Sequence, residues 1–165
     1  MKLIDANIAL YGFMGSGKST IGRLLSDVLS RSFVDLDRYI EEKYGMSISQ
    51  MFARDGEESF RKKEEDAVLS LPFDYPHVLS LGGGSLLRDN SRKHICSMYR
   101  VYTLVTPFSV LKNRLDSTTR PLAAYAETLY EERIPHYQQI GTIIPISEES
   151  PQACVDLIME DLDAA

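Results

Sequence analysis

The sequence predicts an α/β fold in three layers, with a five-stranded parallel sheet flanked by helices. Two observations predict it. Short apolar runs alternate with stretches of helical periodicity along the 165 residues, the pattern of a parallel sheet covered on both faces. The first run leads directly into a glycine-rich segment ending in Gly17-Lys18-Ser19, which then opens an amphipathic stretch. Composition agrees: 44% hydrophobic and 25% charged residues suit a chain that buries a core without disulfide staples.

Residues 7–11 form the first strand. Ile21, Leu24, Leu25, Val28 and Leu29 recur at helical spacing and define the apolar face of the helix that follows. Residues 33–36 read as a second strand. Ser47 and Gln50 fit a capping box, with Ile48, Met51 and Phe52 on the buried face and Gly56 as the stop. Phe60, Glu64, Ala67, Val68 and Leu71 continue a helix that must end before Pro72. Residues 78–81 read as a third strand running into Gly82-Gly83-Gly84, followed by a polar helix over about 90–98. Residues 101–105 form a fourth strand, after which Thr106 and Pro107 supply an N-cap and first-turn proline for a helix through Leu115. Residues 116–124 read as a loop and 143–146 as a fifth strand. Ser150-Pro151 starts a last helix with Val155, Ile158, Met159 and Leu162 on one face. No linker or repeat divides the chain, so one domain over 1–165 is expected. Helices accumulate without a strand between strands two and three, where a substrate-binding insertion over about 37–71 would sit.

The charge balance excludes several classes. Eighteen Lys and Arg against 24 Asp and Glu give a net charge of −6, which opposes general nucleic-acid or anionic-membrane binding. No apolar run approaches the roughly 20 residues of a membrane span. Cys96 and Cys154 lack metal or redox spacing and read as reduced thiols, so a cytoplasmic location is expected.

Gly12-Phe13-Met14-Gly15-Ser16-Gly17-Lys18-Ser19 matches G-x-x-x-x-G-K-[ST] between a strand and a helix. Backbone N–H groups at Gly12, Gly15, Ser16 and Gly17 can curl around phosphate oxygens, and the helix N-terminus adds favourable partial charge. Lys18 can reach the β- and γ-phosphates, and the Ser19 hydroxyl can ligate Mg²⁺. Asp35 and Asp37, two apart at a strand end, would project from one face, one acid near Mg²⁺ and the other on an attacking hydroxyl. Asp37 also reads as a helix N-cap, and Asp35 as a solvated strand end. Three consecutive glycines after a strand imply close approach of a ligand or a tight turn. Arg61, in a mixed-charge helical run, and Arg120, in a loop, read by themselves as surface arginines. Arg120 could alternatively close over a γ-phosphate.

In this order and spacing, the chain resembles the shikimate kinases over nearly its whole length. The carriers are the loop Gly12 to Thr20, Asp35-Leu36-Asp37, the stretch from Gly45 through Gly56-Glu57 to Phe60-Arg61 and Glu64, and the triple glycine. Arg120-Pro121-Leu122 and Arg133 with Pro135 and Tyr137 complete them. The resemblance implies transfer of the ATP γ-phosphoryl group to the 3-hydroxyl of shikimate. It implies Lys18 on the transferring phosphate and Ser19 with Asp35 at Mg²⁺. It implies Thr20 within the nucleotide loop, Arg114 flanking adenine, and Arg120 as a lid arginine. Asp37 would hold the attacking hydroxyl. Arg61, Arg133 and the backbone of Gly82, Gly83 and Gly84 would hold the substrate carboxylate, with Glu64 supporting them. Thirteen positions separate Arg120 from Arg133, fewer than the family pattern, so a short lid over about 116–126 is expected. A monomer is also expected. Two other readings share parts of the pattern: another small-metabolite kinase such as a gluconate kinase, and a nucleotide-binding regulatory domain without turnover.

Overall fold

A computed structural model describes residues 6–115, 125–147 and 150–165. Five strands, β1 (Asn7–Gly12), β2 (Ser32–Asp35), β3 (His77–Ser80), β4 (Tyr99–Val105) and β5 (Thr142–Pro145), form one sheet in the order β2-β3-β1-β4-β5. Every pairing is parallel, as the alternation of strands and helices requires. Among the described residues, seven helices connect or cover the strands: α1 (Lys18–Val28), α2 (Leu36–Tyr44), α3 (Ile48–Leu69), α4 (Asp89–Met98), α5 (Phe108–Leu115), α6 (Ala126–Tyr137) and α7 (Pro151–Ala164).

Period-two alternation along β1 sorts the core into two layers. Ile8 and Leu10 join Ile21 and Leu25 of α1 and Val155, Ile158 and Leu162 of α7. Ala9 and Tyr11 point the other way, into the cluster holding Phe60 and Val68 of α3, Ile95 of α4 and Tyr137 of α6. With neighbours on both sides, β1 sits where the chain switches from one half of the sheet to the other. The carboxyl ends of strands at such a switch point are where α/β sheets bind ligands.

Several local expectations change. Strand β2 ends at Asp35, and Leu36 already belongs to α2. Asp35, not Asp37, is the N-cap, its side chain accepting from the Arg38 N–H at 3.3 Å; Asp37 lies in the first helical turn. Asp35 and Asp37 are therefore not two strand positions on one face. Val28 lies 52% exposed at the end of α1, because the buried stripe turns away after Leu25 and Ser26. Thr106 does not cap α5: its buried Oγ1 has no hydrogen-bond partner among the described residues. Helix α6 had no sequence counterpart beyond the family resemblance. The Ser47–Gln50 capping box is present in both directions, and Gly56, at φ 83° and ψ 174°, stops the first helical piece of α3 as expected, a second piece continuing directly after it.

The amino ends of β3 and β4 carry a polar contact within the core. His77 is fully buried, with Nδ1 2.7 Å from the Tyr75 carbonyl oxygen and Nε2 2.8 Å from the Tyr99 hydroxyl. Burial disfavours the imidazolium and lowers the His77 pKa, against the Tyr75 carbonyl, which raises it; the Arg31 charge lowers it further. An unfolded chain therefore binds this proton first as pH falls. The stabilisation is present above the unfolded value and is lost as pH drops below about 6.5. We expect the melting temperature to fall over that interval and the dependence to flatten in His77→Phe. An unchanged slope in the variant would show that His77 does not drive it.

Candidate active site

The carboxyl ends of β1, β2 and β3 and residues of six helices converge on one cavity of about 570 Å³. From β1 comes the phosphate loop. Gly17 takes a left-handed φ of 99°, which a side chain would strain, and this turns the chain into α1 at Lys18. The Lys18 Nζ donates to the Gly12 and Phe13 carbonyl oxygens at 2.6 and 3.0 Å, which holds the ammonium over the loop. Ser16 is buried, and its Oγ has no hydrogen-bond partner among the described residues. A buried hydroxyl left unpaired is costly, so its place in an anion-binding loop fits a phosphate oxygen as its partner. Gly15, Ser19 and Thr20 line the same end of the cavity. Arg114 of α5 also lines it and donates to the Gly15 carbonyl oxygen at 2.9 Å, beside the phosphate loop.

The end of β2 supplies two carboxylates by a route different from the strand geometry expected. Asp35 accepts from the Ser19 hydroxyl at 3.2 Å and caps α2 with its other oxygen. Asp37, in the first turn of α2, faces the cavity and packs against the triple glycine. A Cβ on Gly82 would stand 2.9 Å from the Asp37 Oδ1, 2.9 Å from the Ser85 Oγ and 3.2 Å from the Glu64 Oε2. One on Gly84 would stand 2.6 Å from the Arg61 guanidinium carbon. The bare backbone at these glycines thus makes room for the site's own side chains. Gly83 faces the Gly12 carbonyl and the Met14 amide, so the glycine cradle abuts the phosphate loop.

Helix α3 places Arg61 and Glu64 one turn apart, in a 2.7 Å ion pair whose side chains are 11% and 3% exposed. Burial opposes the Arg61 charge, but Glu64, by charge and hydrogen bond, and then Glu57 outweigh it, and the Arg61 pKa is raised. Glu64 also accepts from the Ser85 hydroxyl at 3.3 Å. This explains why an arginine that reads as a surface group is largely buried: a carboxylate three residues on satisfies it from within. Arg133 comes from α6, is buried, and lines the same cavity. Lys18, Asp37, Arg61, Glu64, Arg133 and the three glycines are therefore assembled around one space. Arg120 lies outside the described residues, as does nearly all of the expected lid.

Sequence reasoning missed Ser85, whose hydroxyl donates to Glu64, and the wall that Ile48 and Phe52 form across the cavity. Their apolar periodicity signalled only a core face. It also gave Tyr137 no role, although its hydroxyl donates to the Gly83 carbonyl oxygen at 2.6 Å.

Comparison with known proteins points one way. The family model for shikimate kinase matches residues 14–163. A shikimate kinase of Mycobacterium ulcerans is 38% identical over 161 residues, 93% of this chain and 88% of the relative. One from Thermobifida fusca is 36% identical over 163 residues, 94% of each chain. A structure of shikimate kinase from Acinetobacter baumannii in complex with shikimate superposes with a TM-score of 0.90 at 29% identity, covering 96% of this chain and 93% of the other. A gluconokinase from Sinorhizobium meliloti covers 98% of this chain and 93% of its own, but with a TM-score of 0.66 and 18% identity it shares the fold alone. No helix among the described residues is long and apolar enough to cross a membrane.

Proposed function

We propose, from the premise that this chain belongs to the shikimate kinase family, how its residues divide the work of that reaction. The activity is ATP-dependent phosphorylation of shikimate in the shikimate pathway. One observation carries the assignment: a single cavity joins a phosphate loop, Asp37, the largely buried Arg61 and the buried Arg133, the two arginines on separate helices. A compact polyol acid needs that complement, with forked cations for its carboxylate and a carboxylate for its hydroxyls.

Lys18 and the loop amides hold the β- and γ-phosphates, and Lys18 offsets charge on the transferring group. Ser19 and Asp35 present hard oxygen donors 3.2 Å apart beside that loop, a set that fits Mg²⁺ shared with phosphate oxygens. When bound, the cation supplies neutralisation of charge between the phosphoryl groups. Arg61, Arg133 and the Gly82–Gly84 backbone hold the substrate carboxylate, and Glu64 fixes Arg61. That anchorage turns the 3-hydroxyl toward Asp37, at the seam between glycine cradle and phosphate loop. Because the transition state is loose, Asp37 acts mainly by aligning the hydroxyl.

A substrate panel with coupled ADP detection tests the reading. Shikimate is expected to drive ADP release and gluconate is not; the reverse preference would overturn it. Arg133→Lys keeps the charge but loses the planar fork. It is expected to raise the KM for shikimate about tenfold, one bidentate contact's worth, while the KM for ATP stays within twofold. Equal changes in both constants would contradict a carboxylate contact.

A further inference from the structure

Tyr137 stands in the motif Arg133-Ile134-Pro135-His136-Tyr137, and nothing above gives it a task. It is 1% exposed, and its hydroxyl donates to the Gly83 carbonyl oxygen at 2.6 Å, across 54 residues of sequence. Its ring is held edge-on by Tyr11, with centroids 5.1 Å apart, and by Phe13 at 6.4 Å. Both supports come from the strand and loop that lead into the nucleotide site. Tyr11 is itself fixed by a 3.0 Å hydrogen bond between its hydroxyl and the His136 Nε2. Burial pushes the Tyr137 pKa up to about 12, while Arg133, four residues earlier, opposes the rise by charge and hydrogen bonding. The hydroxyl is thus a neutral donor near pH 7, adjacent to the guanidinium.

A planar peptide lets one hydrogen bond orient two groups. Fixing the Gly83 carbonyl also fixes the Gly84 N–H, which points the opposite way from the same peptide. Gly84 lines the cavity and lies against the Arg61 guanidinium. With no side chains to hold them, three glycines have unusually free backbone, so an external clamp has most to contribute there. We propose that Tyr137 is a positioning residue for the acceptor: its hydroxyl, bound to the Gly83 carbonyl oxygen, sets the Gly83–Gly84 peptide plane and joins the glycine half of the carboxylate cradle to Arg133.

This inference rests on the assignment of the cradle to the shikimate carboxylate. Tyr137→Phe removes the hydroxyl and keeps the ring. Steady-state kinetics and calorimetric shikimate binding should both show affinity for shikimate weakened about tenfold, the effect of one hydrogen bond. The KM for ATP and the kcat should change less than twofold. Tyr11→Phe removes an equally buried hydroxyl bond from the same aromatic cluster without touching Gly83, and serves as the comparison for packing effects. Its shikimate affinity should stay within twofold of the parent. Loss of shikimate affinity in Tyr137→Phe alone supports the proposal. Unchanged affinity in Tyr137→Phe, or equal losses in both variants, overturns it. An unmodified protein that binds shikimate while Tyr137→Phe binds equally well would sink this inference and leave the substrate assignment intact. Failure of the unmodified protein to bind shikimate would overturn both.

Discussion

Lys18→Met should lower kcat about a thousandfold, the scale expected when a preorganised charge aimed at the transferring phosphoryl group is removed. Methionine keeps the unbranched apolar stem of lysine and lacks only the terminal ammonium. The bonds lost include the two to the Gly12 and Phe13 carbonyl oxygens, both within the loop itself. Shikimate binding, measured by calorimetry without nucleotide, should stay within twofold because the acceptor cradle is built from α3, α6 and the glycines. A variant retaining a tenth or more of the parent kcat would remove Lys18 from the chemistry.

Asp37→Asn should lower kcat about a hundredfold, the lower end of what a positioned acid–base group contributes. Asparagine preserves the shape and can still accept a hydrogen bond, but it loses the charge that orients a hydroxyl proton. The KM for ATP should move little, since Asp35 rather than Asp37 contacts the phosphate loop through Ser19. Near-normal turnover and substrate affinity in this variant would refute the placement of the attacking hydroxyl at Asp37.

The phosphate loop was legible because its information is local: a strand, a fixed spacing of glycines and a helix start lie in consecutive residues. Asp35 and Asp37 were legible as a pair, but their geometry was not. Asp35 can end a strand and cap a helix at once, and period-two reasoning does not detect that change of structure at the next residue. Arg61 could not be separated from a solvated arginine, because its partner Glu64 matches an ordinary surface pair and burial depends on the distant Gly84. Helix α6 was hidden for a different reason. Pro135 sits inside it and removes one backbone donor, so local preference opposes the helix. Tertiary contacts override that preference: Tyr130 donates to the Thr106 carbonyl oxygen, and Tyr137 is packed against Tyr11. The triple glycine announced a close approach, but only the fold identifies what approaches.

A crystal structure with shikimate and a non-hydrolysable ATP analogue tests the joined donor and acceptor sites most directly. The carboxylate should lie within hydrogen-bond distance of both Arg61 and Arg133. The 3-hydroxyl should lie within hydrogen-bond distance of an Asp37 oxygen and about 3–3.5 Å from the γ-phosphorus, as a reactive approach requires. A carboxylate bound away from those guanidinium groups, or a hydroxyl directed away from the phosphate loop, would contradict the account.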